Sequence, residues 1–333
     1  MANTPGNPPA IDALLTGWER GLPQGSLRAW GTTAEGDTLF SHHDPSLPLP
    51  LMGVSRMVTL AMVLRDIDRG ALARDMPISD VLPQSMTSGL CVVKGKDYSD
   101  TITVGHLLAH QSGIADHFDP PGKNIRSMAS QVRTKDRAWS TAEALEIARH
   151  YAGLFPPGTN KRPSFSSTNY LILGEALRET TGMSLAELVK LRVASPLNIP
   201  TTYLFGPEYY DTYFTYPQAT WGDTTLRIPL ALASAGADGG IVSTPRDAAV
   251  FLRGFWQGKL FDTSWKEQLI QAPESLGLHA SSGKTGQIIA EAGFTGIAAG
   301  INTTTGDVGF IATHQRQKAA IPLRRLGQLM ESV

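Results

Sequence analysis

Apolar and polar positions alternate from Gly25 to His43 around Glu35-Gly36-Asp37, the pattern of a β-hairpin. The period then changes. Met57, Leu60, Ala61, Leu64 and Ile67 recur at helical spacing, and Gly70 closes the run. This predicts an amphipathic helix from Ser55 to Arg69. Ser140-x-x-Glu143 and Ser184-x-x-Glu187 read as capping boxes, each opening an apolar-periodic run. Asn169 to Thr181 is a further helix pattern, stopped by Gly182. Thr244-Pro245-Arg246-Asp247 supplies an N-cap, a proline at the first helical position and an early acid. Towards the end, Ile297 to Ile301 and Val308 to Thr313 read as strands around a turn at Thr303 to Asp307. A last helix is expected near Pro322 to Met330. Strands at both ends with helices between predict an α/β (α+β) fold. Its antiparallel sheet is built from both termini and flanked by helices, with an inserted, mostly helical region. The expected organisation is one unit over 1–333, with sheet and helices at 10–75 and 235–333 and a helical region at 76–234.

Composition narrows the function. The net charge of −1 gives no general attraction to nucleic acid or an anionic membrane. No apolar run approaches the roughly 20 residues that span a bilayer. The first residues lack the basic start and apolar run of a signal peptide, so a cytoplasmic protein is expected. Cys91 is the only cysteine, which excludes an internal disulfide. Its apolar neighbours predict a buried, inert thiol. His106 and His110 stand four apart, but no third ligand is obvious, so both read as structural. No nucleotide, flavin or metal motif occurs. A cofactor-free protein with a small-molecule partner is the expectation.

Five blocks carry the chemistry. They are Thr101-Ile-Thr-Val-Gly-His-Leu-Leu-Ala-His-Gln-Ser-Gly113; Phe155-Pro-Pro-Gly158 with Phe165-Ser-Ser-Thr-Asn-Tyr170; Pro196-Leu-Asn-Ile199; Gly239-Gly240 with Ser243-Thr244; and Glu291-Ala-Gly-Phe-Thr-Gly296. In this order and spacing they resemble the class C β-lactamase and DD-peptidase family, with its related esterases. The resemblance implies a Ser-x-x-Lys nucleophile segment, a Tyr-x-Asn proton relay and a Lys/His-Thr-Gly strand.

The reactive side chains of that family are replaced here. Counting back from Gly70, the nucleophile position falls on Gly53 and the lysine position on Arg56. Tyr-x-Asn becomes Phe165-Ser166-Ser167. The third motif becomes Glu291-Ala292-Gly293, in preference to the literal Lys284-Thr285-Gly286. Ser55 as a displaced nucleophile would lie about 200° around the helix from Gly53, and an ordinary helix-start serine is the favoured reading.

The resemblance also implies an oxyanion hole, made here by the N–H groups of Gly53 and Phe294. Glu291 in place of a cation would repel a substrate carboxylate. It reads either as a general base or as the ion-pair partner of Arg56. The candidate catalytic residues are Glu291, Arg56, Ser55 and Ser167. The candidate substrate contacts are Gly53, Phe165, Gly293, Phe294 and His117. Trp221 and the run from Tyr209 to Tyr216 read either as pocket wall or as packing. Three functions fit. The favoured one is a repurposed, cofactor-free enzyme that isomerises, eliminates or cyclises a small carbonyl compound. The others are a non-catalytic binding protein and a residual ester or amide hydrolase.

Overall fold

A computed structural model describes residues 6–120, 127–160, 162–316 and 320–333. The N-terminal hairpin pairs Arg28–Thr32 (β1) with Thr38–His42 (β2). Four further strands follow late in the chain: His279–Ser282 (β3), Gln287–Gly293 (β4), Ile297–Asn302 (β5) and Val308–Ala312 (β6). They form one sheet of order β3-β4-β5-β6-β1-β2, and every neighbour pair is antiparallel. The sheet is therefore sewn from both ends of the chain, as the alternation predicted.

Helices cover both faces. Pro9–Glu19 (α1) and Ala320–Met330 (α5) lie on one face with Ile288, Ala290 and Ala292 of β4. On the other face lie Ser55–Asp68 (α2), Ser167–Thr181 (α3) and Pro245–Trp256 (α4), packed with Ile289 and the larger core. Strand side chains alternate between faces. Glu291 therefore shares the face of Ile289 and points into the main core. A carboxylate in that register must find a cation or stay protonated.

Most local signals act as read, although only Ser184 and Glu187 form a full capping box; Ser140 makes the N-cap bond while the Glu143 carboxylate pairs with Arg137. Gly182 ends α3 in the left-handed conformation, at φ +68°. Ser140 and Ser184 cap their helices through the N–H groups of Glu143 and Glu187, and Thr244 does the same for Asp247. The helix read from Asn169 starts two residues earlier, at Ser167. The amphipathic reading of α2 is corrected: it is buried on all sides from Ser55 to Leu64. α3 and the segment Gly236–Gly239 pack against it. Its polar residues pair inside the protein rather than face water. Thr59 donates to the Ala237 carbonyl, and Asp66 meets Arg192.

The turn Met52–Val54 leads into α2 and touches the free end of β4. A Cβ on Gly293 would come within 2.8 Å of the Gly53 nitrogen. Gly293→Ala is thus expected to destabilise the protein by about 1–3 kcal/mol through overpacking. Gly327→Ala, on the open side of α5, is expected to be neutral or stabilising by up to about 1 kcal/mol. Urea unfolding of the two variants measures both.

Candidate functional site

Arg56 stands in the first turn of α2. A cation there faces the positive end of the helix dipole, so it needs acidic partners. It has two. Its Nε donates to Glu291 Oε2 at 3.2 Å and its Nη2 to Oε1 at 2.9 Å. Nη1 donates to Asp238 Oδ1 at 3.3 Å. Nη2 also donates to the Ala292 carbonyl at 3.0 Å, and the Phe165 ring covers the guanidinium at 4.8 Å. Burial opposes the charge on Arg56, but Glu291 and Asp238 outweigh it and raise the pKa.

This geometry decides between the two readings of Glu291. The side chain is 2% exposed and bidentate to Arg56. Oε1 also accepts the N–H of Ala292 at 2.8 Å. Its lone pairs are committed to a fork of donors, so it serves as counter-ion. Of the two readings of Glu291, this geometry supports the ion-pair partner of Arg56. Lys284 sits in the turn between β3 and β4, whereas Glu291 lies within β4 beside the cleft residues Ala292 and Gly293.

The same packing seals the nucleophile position. A Cβ on Gly53 would overlap the Ala292 carbonyl oxygen and crowd the Arg56 Nη2. Ser55 offers no substitute: it is fully buried, and its Oγ accepts the N–H of Ile241 at 3.1 Å. It does not line the cavity.

The cleft itself persists, with a volume of about 480 Å³. Gly53, Arg56, His117, Phe165, Ser167, Gly293 and Phe294 all line it. Phe118 bridges Phe294 and Trp139, at ring separations of 5.8 and 6.0 Å, and forms an aromatic wall. Ser167 links two buried acids. Its N–H donates to Asp116 Oδ1 at 3.2 Å, and its hydroxyl bonds Asp238. Burial raises the pKa of Asp238, with Arg56 acting against the shift. Burial pushes Asp116 up to about 7, against the N–H groups of Phe118 and Ser167, while the charge of Asp238 adds to the rise.

His117 is pushed down to about 3 by burial. Thr168 gives its only hydroxyl proton to the Ala115 carbonyl at 2.9 Å. The 3.1 Å contact between His117 Nδ1 and Thr168 Oγ1 therefore assigns the proton to Nδ1. Nε2 is left as an acceptor.

Asp238 and Trp139 were not singled out from the sequence. Asp238 immediately precedes the glycine pair of the fourth block, and an acid beside a motif was the available signal. Other residues resolve as structure. His110 accepts the N–H of Ser166 at 3.3 Å, and His106 caps its own helix with Thr103. Tyr213 and Tyr216 pack around Phe205, and Trp221 is covered by Arg316 at 4.2 Å. Burial raises the Cys91 thiol to about 11, consistent with an inert group.

A family model described as Beta-lactamase matches residues 27–318. The chain belongs to the beta-lactamase family. Penicillin-binding protein 4 of Amycolatopsis lactamdurans is 30% identical over 147 residues, 44% of this chain and 33% of that protein. Teichoic acid D-alanine hydrolase of Staphylococcus aureus (strain MRSA252) is 22% identical over 214 residues, 63% of this chain and 47% of that protein. The chain thus spans a third to about half the length of these curated relatives. A D-stereospecific amidohydrolase from Streptomyces sp. superposes with a TM-score of 0.74 at 19% identity, covering 95% of this chain and 97% of the other. D-amino acid amidase from Ochrobactrum anthropi SV3, in complex with L-phenylalanine, gives 0.74 at 17% identity, covering 97% of each. At these identities the superpositions establish the shared fold.

Two outcomes follow. Arg56→Met leaves Glu291 buried and unpaired and is expected to cost about 3–5 kcal/mol. The double variant Arg56→Met/Glu291→Leu is expected to cost less than the single one, as urea denaturation would show. Asp116 gives a pH test. Its unfolded carboxyl titrates near 3.8 and its folded carboxyl near about 7. Between these values the folded state holds a proton that the unfolded state has lost. Stability contributed by this group therefore falls as pH rises through the window. Asp116→Asn removes that slope, so unfolding midpoints at pH 4.5 and 7.5 should show the variant gaining on the parent at the higher pH.

Proposed function

We propose that the cleft binds a small molecule with an apolar body and a cationic amine, and that no acyl-enzyme forms there. One observation carries this reading. The space a nucleophile would need beside Gly53 is taken by the Ala292 carbonyl and the Arg56 guanidinium. A cavity of about 480 Å³ nevertheless remains open next to it. Ser55 is turned away into the core, so the covalent hydrolase reading lacks a nucleophile.

The lining supports the ligand class. Arg56 is bound by two carboxyl groups, Glu291 and Asp238, so its charge is already taken up within the cluster. Asp116 adds a further acid to the same wall. A ligand carboxylate would meet repulsion, whereas an ammonium beside Asp238 and Asp116 would be drawn to both. Phe118, Trp139 and Phe294 would receive the apolar part and can also face a cation. Two relatives are named for D-amino acid amide and D-alanine chemistry, and such compounds carry an amine. D-phenylalanine amide is therefore a rational first probe.

A second reading rests on Asp116. A cavity-lining carboxyl with a pKa raised to about 7 is poised to take or give a proton near neutrality. With the N–H groups of Gly53 and Phe294 near a ligand carbonyl, it would support isomerisation, elimination or cyclisation. In this reading Asp116 replaces Glu291 as the base, and Arg56 and Glu291 hold the frame.

Intact mass after fluorophosphonate and penicillin exposure tests the first claim, and no adduct is expected on the native chain or on Gly53→Ser. A stoichiometric adduct on the native chain would overturn it. Calorimetry with D-phenylalanine amide and with D-phenylalanine tests the ligand class. The amide should bind more tightly, and Asp238→Asn should weaken it by about tenfold or more, the loss of one buried charge partner. Tighter binding of the carboxylate would sink the charge argument.

A further inference from the structure

The structure assigns a candidate zinc site far from the cleft, formed by Glu19, His42 and His43. Their ligand atoms all lie within 4.8 Å of one another. Glu19 ends α1, and His42 ends β2. His42 Nε2 lies 3.2 Å from Glu19 Oε2, and His43 Nε2 lies 2.7 Å from Oε1. Donors that share a tetrahedral zinc at about 2.0 Å stand about 3.3 Å apart. The three groups are therefore already near the separation that a shared ion imposes.

Backbone and charge support the same reading. Successive residues of a strand point to opposite sides. His43 departs from this by taking φ +60°, a left-handed conformation that few side chains adopt. The two imidazole rings consequently meet at 4.4 Å on one side. Glu19 is also misplaced by ordinary helix rules. It lies at the negative end of α1, whose last turn carries no basic residue. A bound cation would relieve both the dipole and the carboxylate. Asp12, two turns earlier on the same helical face, adds to the field.

Two imidazoles and a carboxylate are the donor set of a borderline ion such as zinc, rather than of calcium or magnesium. Side-chain exposures of 18%, 29% and 38% for His42, Glu19 and His43 leave room for water as a fourth ligand. The ion would fasten α1 to the edge strand of the sheet. Asn7 already ties this corner from the other side, bonding both the N–H and the carbonyl of Ser41 at 2.8 Å.

The test uses chelator-treated, tag-free protein titrated with zinc against a chromophoric competitor. One equivalent should bind, and the thermal midpoint should rise with zinc but not with magnesium. His43→Asn keeps a residue that tolerates the left-handed backbone while removing the ring. It should keep the native circular dichroism spectrum and lose at least about tenfold in zinc affinity, as ligand-shell losses do. His42→Gln/His43→Asn should abolish the zinc-dependent rise. The proposal fails if the parent shows no zinc-dependent shift, or if these variants bind zinc as the parent does.

Discussion

Everything at the cleft turns on the ion pair between Arg56 and Glu291. Strand alternation drives Glu291 into the main core, and the start of α2 places Arg56 against it. Neither charge is tolerable alone in that setting. Together, and with Asp238, they satisfy each other through four hydrogen bonds of 2.9–3.3 Å that include the Ala292 carbonyl. The pair ties the first turn of α2 to the free end of β4. It thereby fixes how closely Gly53 and Gly293 approach.

That approach closes the floor of the cleft beside Gly53. The floor is filled by a guanidinium, two carboxylates and a backbone carbonyl. The walls are built elsewhere, by Phe118, Trp139 and Phe294, so the cavity stays open while the floor is sealed. The fold supplies a pocket, and Gly53, Arg56, Phe165 and Gly293 line it. Fold alone does not carry activity.

Asp116 shows how environment sets a role. It accepts backbone N–H groups from Phe118 and Ser167, which favour its charged form. Burial and the nearby Asp238 outweigh them. Glu291, in contrast, lies in the fork of a guanidinium. Two buried acids thus sit in different charge environments because their partners differ.

Much of this was written in local sequence. Gly182 and the serine and threonine caps stopped and started helices as read, because those effects act within one turn. Alternation located the N-terminal hairpin and the turn at Thr303 to Asp307 located the last two strands, whereas His279–Ser282 and Gln287–Gly293 carried no strand signal that was read. The order of the motif blocks gave the family, and counting from Gly70 gave Gly53 and Arg56 as the replaced positions. The sequence could not show that α2 is enclosed on every side, since its periodicity records only its own face. Nor could it choose between base and counter-ion for Glu291, find Asp238, or turn Ser55 towards the Ile241 N–H. Those outcomes depend on segments 178 to 235 residues apart being packed together. Local pattern determined the elements and the order of the motif blocks. Tertiary packing decided what each buried charge would face, because desolvation and pairing are set by neighbours distant in the chain.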